Sequence, residues 1–243
     1  MFGMKKLKIG LKQSSIVFTD TTQSNLVLPQ PASKFVPSWY QNMESYINKE
    51  KKPTGSGNTD STIKKCMPVF DAFTAGYIIT TPADVWVTIK EIDGIKTQYF
   101  EWSSYSLIAF HAIEQAPTHP SKKPYSYPKF MNPWSIKTPK GYSVLFVQPF
   151  HRESVFTILE GVVDTDTYTA AVNFPFVIND PSFEGLIPVG TPMAQVIPFK
   201  RDRWKATLGK QKDLTLIAQV TKKLETKFFD RYKTFFWVKK EYK

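Results

Sequence analysis

Along most of the chain, apolar positions fall in short runs or alternate with polar ones, bounded by Gly, Pro, Asn and Asp. That pattern predicts short strands rather than long helices. The densest succession lies between Pro139 and Lys200, where residues 142–147, 155–158, 169–176, 184–187 and 194–198 read as strands joined by short turns. Upstream, residues 85–89 and 97–102 flank Glu91-Ile92-Asp93-Gly94. Its Asp-Gly pair supplies the positive backbone angles that a tight hairpin turn needs. Two weaker strand patterns occur at 15–18 and 26–28.

Helical periodicity is confined to three places. Pro37 opens a predicted helix over 38–49, with Trp39, Met43, Tyr46 and Ile47 on one face. The apolar stretch 67–79, with Pro82 beyond it, predicts a short helix leading into a strand. Asp213 reads as the N-cap of a C-terminal helix that places Leu214, Ile217, Leu224, Phe228 and Phe235 on one face and turns Lys222, Lys223 and Lys227 elsewhere. Such a face should cover the β core or dock a neighbour. The polar run 51–58 reads as a mobile loop, and five prolines between His111 and Thr138 predict a surface loop or edge, because proline lacks a ladder donor. Tyr125, Tyr127, Phe130 and Trp134 could stack on a base or sugar, but pinning that loop to the core is the favoured reading. The expected fold is mainly β (α+β), with peripheral helices and a C-terminal amphipathic helix. Residues 1–243 would form a single domain, with 139–200 as its core segment and 200–243 as a basic helical segment.

Composition narrows the class. At 243 residues the chain is long enough to bury a core without metal or disulfide, and 42% apolar with 22% charged residues excludes disorder over most of it. One cysteine, Cys66, cannot form an internal disulfide, and MFGMKKLKIG has no apolar run of signal-peptide length behind it, so a cytoplasmic protein is expected. No stretch reaches the ~20 apolar residues of a membrane span. From Lys200 to Lys243 there are 14 basic and 5 acidic residues, which leaves only +2 of the net +11 for the rest. The basicity is therefore a property of the C-terminal segment, where it is either a solubilising face or a site for an anionic partner.

Several chemistries find no support. His111, His119 and His151 match no metal spacing, and no metal ligand set is expected. Gly55 and Gly57 lack the Lys-Ser/Thr ending of a phosphate-binding loop, and no Gly-x-Ser-x-Gly elbow occurs. Cys66 sits beside Lys65 with no base in view and reads as a small core residue.

One region carries a resemblance. Gly161-Val162-Val163-Asp164-Thr165-Asp166, then Tyr168, then Gly190-Thr191-Pro192-Met193-Ala194-Gln195-Val196 resemble the third and fourth motifs of the dUTPase family. Pro139-Lys140-Gly141-Tyr142 and Pro149-Phe150-His151-Arg152-Glu153-Ser154 resemble the surroundings of its Arg-Ser-Ser motif. The resemblance implies a β-clip fold. It further implies Asp164 as general base toward a phosphoanhydride, Tyr168 under the deoxyribose, Gln195 holding the nucleotide, Arg152 and Ser154 facing phosphate, and Mg2+ neutralising the triphosphate. The whole chain is also similar to uncharacterised proteins of tailed phages of marine cyanobacteria, which implies a viral protein in a host cytoplasm.

The chain departs from the family's pattern at defined points. Tyr168 comes one residue late, Thr169-Ala170 replaces Arg-Gly, and Glu153 follows Arg152. No first motif is present, and a Lys-rich segment stands where the family has a Gly-rich phosphate lid. The leading expectation is a non-catalytic structural or interaction module that needs no cofactor. The alternatives are a nucleotide-binding or dUTP-pyrophosphatase-like hydrolase, and nucleic-acid binding through the basic C-terminal segment. Homo-oligomerisation, and a protein partner or anionic ligand at the C-terminal helix, are the interactions this leaves open.

Overall fold

The computed structural model describes residues 14–24, 26–47, 61–92, 94–103, 106–115, 127–226 and 230–243. Strands are numbered along the chain, and every pairing among them is antiparallel. The five-stranded sheet runs β11 (Gly161–Val163), β9 (Tyr142–Val147), β14 (Pro192–Lys200), β3 (Tyr77–Thr80), β2 (Gln30–Pro31). A four-stranded sheet runs β10 (Phe156–Ile158), β12 (Phe174–Ile178), β7 (Tyr127–Phe130), β6 (Ile108–His111). A third is β13 (Gly185–Ile187), β4 (Val85–Ile92), β5 (Ile95–Trp102), and β1 (Val17–Asp20) pairs with β8 (Trp134–Lys137). The helices are α1 (Ser38–Asn42), α2 (Met67–Thr74), α3 (Gln211–Glu225) and α4 (Arg231–Phe235). The protein is mainly β with peripheral helices.

Phenylalanines join the sheets. Phe130 of β7 stacks on Phe176 of β12 at 4.0 Å, and Phe156 of β10 approaches Phe130 at 5.0 Å. Phe176 also meets Phe100 of β5 at 5.7 Å, and Phe174 meets Phe146 of β9 at 5.3 Å. Three sheets thus share one aromatic cluster, the offset and edge-on contacts that ring quadrupoles favour. Strands β9 and β14 lie inside the five-stranded sheet, and consecutive residues of each are buried, as in Met193-Ala194-Gln195-Val196. This explains their unbroken apolar reading.

The hairpin β4–β5 forms as the sequence predicts, with Ile92 opposite Ile95, although Asp93 itself lies outside the described residues. Elsewhere the boundaries move. The helix expected over 38–49 ends at Asn42: Met43 turns extended, and Tyr46 bridges Ser61 instead. Tyr40 is the ring buried there, 4.7 Å from Phe73. Residues 26–28 form no strand, and β2 follows them. Within the apolar stretch 67–79 the short helix stops at Thr74, because Gly76 takes φ +70° and β3 then runs along β14. A Cβ at Gly76 would stand 1.9 Å from the Val196 carbonyl oxygen, so only glycine fits this approach.

The proline-rich interval departs furthest from its reading as loop. It holds β7 and β8, and β7 lies between β12 and β6. Pro128 is tolerated because the β7–β12 ladder reaches only Phe130 and Lys129, so the proline sits past its end. The strand read over 169–176 begins only at Phe174, since the preceding turn draws the Thr167 and Tyr168 amides to the Asp164 carbonyl.

The C-terminal segment is also rearranged. Residues 201–210 have no regular structure and are exposed. Helix α3 starts at Gln211 with Lys210 as N-cap, and Asp213 stands at N3, its carboxylate accepting from the Lys210 amide at 2.6 Å. No residue of α3 is buried, with Leu214, Leu216 and Ile217 each more than half exposed, so it does not cover the β core. Asp230, at φ +50°, separates it from α4. The chain then returns to the body, where Trp237 Nε1 donates to both oxygens of Asp71 at 3.0 Å and Lys240 pairs with the same carboxylate at 2.5 Å. The loop read over 51–58, together with His119, Tyr125, Lys227 and Phe228, lies outside the described residues.

Candidate functional site

The motif around Asp164 forms a turn at the end of β11, fastened to the strands on its inner side. Asp164 accepts from the Ser143 hydroxyl at 2.6 Å and faces Arg201 Nη1 at 2.8 Å. Asp166 accepts from the Gly141 amide at 2.8 Å and from Arg201 Nη1 at 2.9 Å, and its second oxygen pairs with Arg201 Nη2. Thr165, buried between them, bonds the Thr138 hydroxyl at 2.7 Å. One guanidinium at the end of β14 therefore closes a turn that begins two strands away.

The electrostatics follow from this pairing. The Ser143 hydroxyl, then Arg201, hold the Asp164 carboxyl below the usual carboxylate range. Arg201, then the Gly141 amide, do the same for Asp166. The Arg201 pKa is correspondingly raised. A general base works best with a pKa near the operating pH, so a carboxylate pushed downward is ionised but a weak proton acceptor. Arg201 also places a fixed positive charge between the two carboxylates, where a metal ion shared by them would have to sit.

Asp164 keeps one open side. With Val162, Val163, Tyr168, Ala171, Val172 and Asn173 it lines a shallow recess of about 650 Å³ beside β11, the outer strand of its sheet. Tyr168 is half exposed there. Asp164 and Tyr168 are the two sequence-predicted site residues that the fold brings to one surface.

The other three lie elsewhere in the chain and do not line that recess. Gln195 is buried, with its amide donating to the carbonyls of Ala72 at 2.9 Å and Ala75 at 2.7 Å and its oxygen accepting from the Phe150 amide at 3.3 Å. It ties β14 to the end of α2 and to the loop after β9. Arg152 Nη2 donates to the Phe35 carbonyl at 2.8 Å, its Nε is buried without a partner, and burial lowers its pKa. Ser154 accepts from the Phe156 amide at 3.3 Å through its hydroxyl.

Among the described residues no group of three or more His, Cys, Asp and Glu side chains is placed to hold a metal ion. Nor is any helix there long and apolar enough to cross a membrane. His111 Nδ1 lies 3.2 Å from Gln115 Oε1, and the His151 ring packs on Phe73 at 5.6 Å. Sequence reasoning missed Arg201 and Asp71. Arg201 was counted with the basic segment, and only the Asp-x-Asp spacing of 164 and 166 hints that two carboxylates share a cation. No local signal joins Asp71 to Trp237. In sequence comparisons, no family model matches the chain, and no curated protein matches it at a significant level.

Proposed function

We propose that the chain is a non-catalytic interaction module, in which a β body holds out the segment 201–226 for a partner. The observation that carries this reading is the exposure of α3, an amphipathic helix of 15 residues with none buried. An unpartnered apolar stripe on a helix is stable in water at a cost, which contact with another molecule removes. The downward-shifted carboxylates at Arg201 and the fully bonded Gln195 support it, because polar groups already engaged in the fold are poor catalytic groups.

A second reading draws on the recess that Asp164 and Tyr168 share: a β-clip nucleotide pyrophosphatase, with Asp164 as base and Mg2+ carried on the triphosphate. A thermal-shift screen of deoxynucleoside and ribonucleoside triphosphates with magnesium separates the two, since a ligand that binds only the folded state raises its melting temperature. The module reading expects no shift. Stabilisation by a nucleotide that disappears in Asp164→Ala would replace it with the hydrolase.

A further inference from the structure

The segment that precedes α3 has its own chemistry. Between Arg201 and Lys212 the sequence reads Arg-Asp-Arg-Trp-Lys-Ala-Thr-Leu-Gly-Lys-Gln-Lys. Arg201 is committed to Asp164 and Asp166, and Asp202 pairs with Lys200 at 3.4 Å. Arg203, Lys205, Lys210 and Lys212 remain, all exposed, and among the described residues none of the four forms an ion pair. Trp204 stands between the first two with 89% of its surface open to solvent. Indoles are normally at least partly covered, so a tryptophan held out on an unstructured, cationic stretch is an uncompensated cost in the free protein.

We propose that residues 203–212 bind single-stranded nucleic acid, with Trp204 as a platform on which an unpaired base stacks and the four cations tracking the phosphates. This rests on the module reading and names the chemistry of its partner. Aromatic side chains interleaved with basic residues are how proteins hold single strands, because every base presents a stackable face while the backbone presents only negative charge. A duplex offers the same phosphates but no free base face, so the indole discriminates between them. Residues 201–210 carry no regular structure, which leaves successive side chains free to meet successive nucleotides. Arg201 offsets one of the two negative charges of Asp164 and Asp166 at the root of the segment, so the pair repels an incoming polyanion less than two free carboxylates would.

The test uses the full chain and a fluorescently labelled oligothymidylate of about 16 nucleotides, followed by anisotropy at several salt concentrations. With four phosphates neutralised, log K should fall against log salt with a slope of about −2 to −3. Trp204→Ala should weaken binding about tenfold and Trp204→Phe much less, both with unchanged melting temperature because 89% of the residue's surface is already open to solvent. The matching duplex should bind about tenfold more weakly than the single strand. Equal affinity for duplex, heparin and single strand, or full affinity in Trp204→Ala, would reduce the segment to a generic cationic surface and overturn the proposal. No binding at about 50 mM salt would also overturn it, without touching the module reading, which the nucleotide screen tests separately.

Discussion

Replacing Gln195 with Met keeps nearly the same side-chain volume at a buried position of β14 and deletes three hydrogen bonds at once. The carbonyls of Ala72 and Ala75 lose their donor, and the Phe150 amide loses its acceptor. Each backbone group left without a partner costs about 1 kcal/mol at least, and up to about 3 kcal/mol when water cannot reach it. We therefore expect Gln195→Met to lose about 3 kcal/mol, a large part of the roughly 5–15 kcal/mol that holds a domain together. Urea denaturation reads this directly: with a slope of about 3 kcal/mol/M the midpoint should fall by about 1 M while the slope stays constant. Gln195→Glu should be at least as damaging, since it keeps the acceptor but replaces the donor with a buried charge. A midpoint within about 0.2 M of the wild type would show that the three groups find other partners, and the structural role argued for Gln195 would fall.

Asp71→Ala removes the acceptor of the Trp237 indole and the partner of Lys240. A hydrogen bond to a charged group is worth about 2 kcal/mol, so amides in 236–243 should exchange about 30-fold faster by hydrogen–deuterium mass spectrometry, with the β sheets unchanged; equal rates would refute the latch. Arg201→Gln tests the carboxylate pair through pH. Folded-state pKa values below the ordinary value of about 3.9 mean that the pairing stabilises above that pH and is lost as pH falls through the lowered values. The stability gap between wild type and Arg201→Gln should therefore be constant near neutrality and close in acid melts below about pH 4; a gap that persists there would show that Arg201 acts through packing.

What was legible in the sequence follows the range of the forces involved. The β4–β5 hairpin and strand β9 depend on neighbours in the chain, an Asp-Gly turn and an unbroken apolar run, and both appear as read. Strand β7 was hidden because Pro128 argues against a strand unless the extent of the adjacent ladder is known, and that is a tertiary fact. Helix 38–49 is cut short in a similar way: Tyr46 bridges Ser61, a pairing between residues distant in sequence that local periodicity does not show. At the candidate site, Asp164 and Tyr168 share a turn and were found together, whereas Arg201, Ser143 and Gly141 reach the same carboxylates only through the pairing of β9 with β11 and β14.

The segment that carries Trp204 and α3 is held at both ends. Arg201 fixes its start, and the Lys65–Asp230 pair at 2.8 Å with the Asp71–Trp237 bonds fixes the chain beyond it. A protease cutting between these anchors would break the covalent chain without dividing the molecule: the C-terminal piece would stay seated on α2 and migrate with the body until denatured. Whatever binds the span also pulls on two attachment points rather than one, so the load reaches the sheet through β14 and through α2 together.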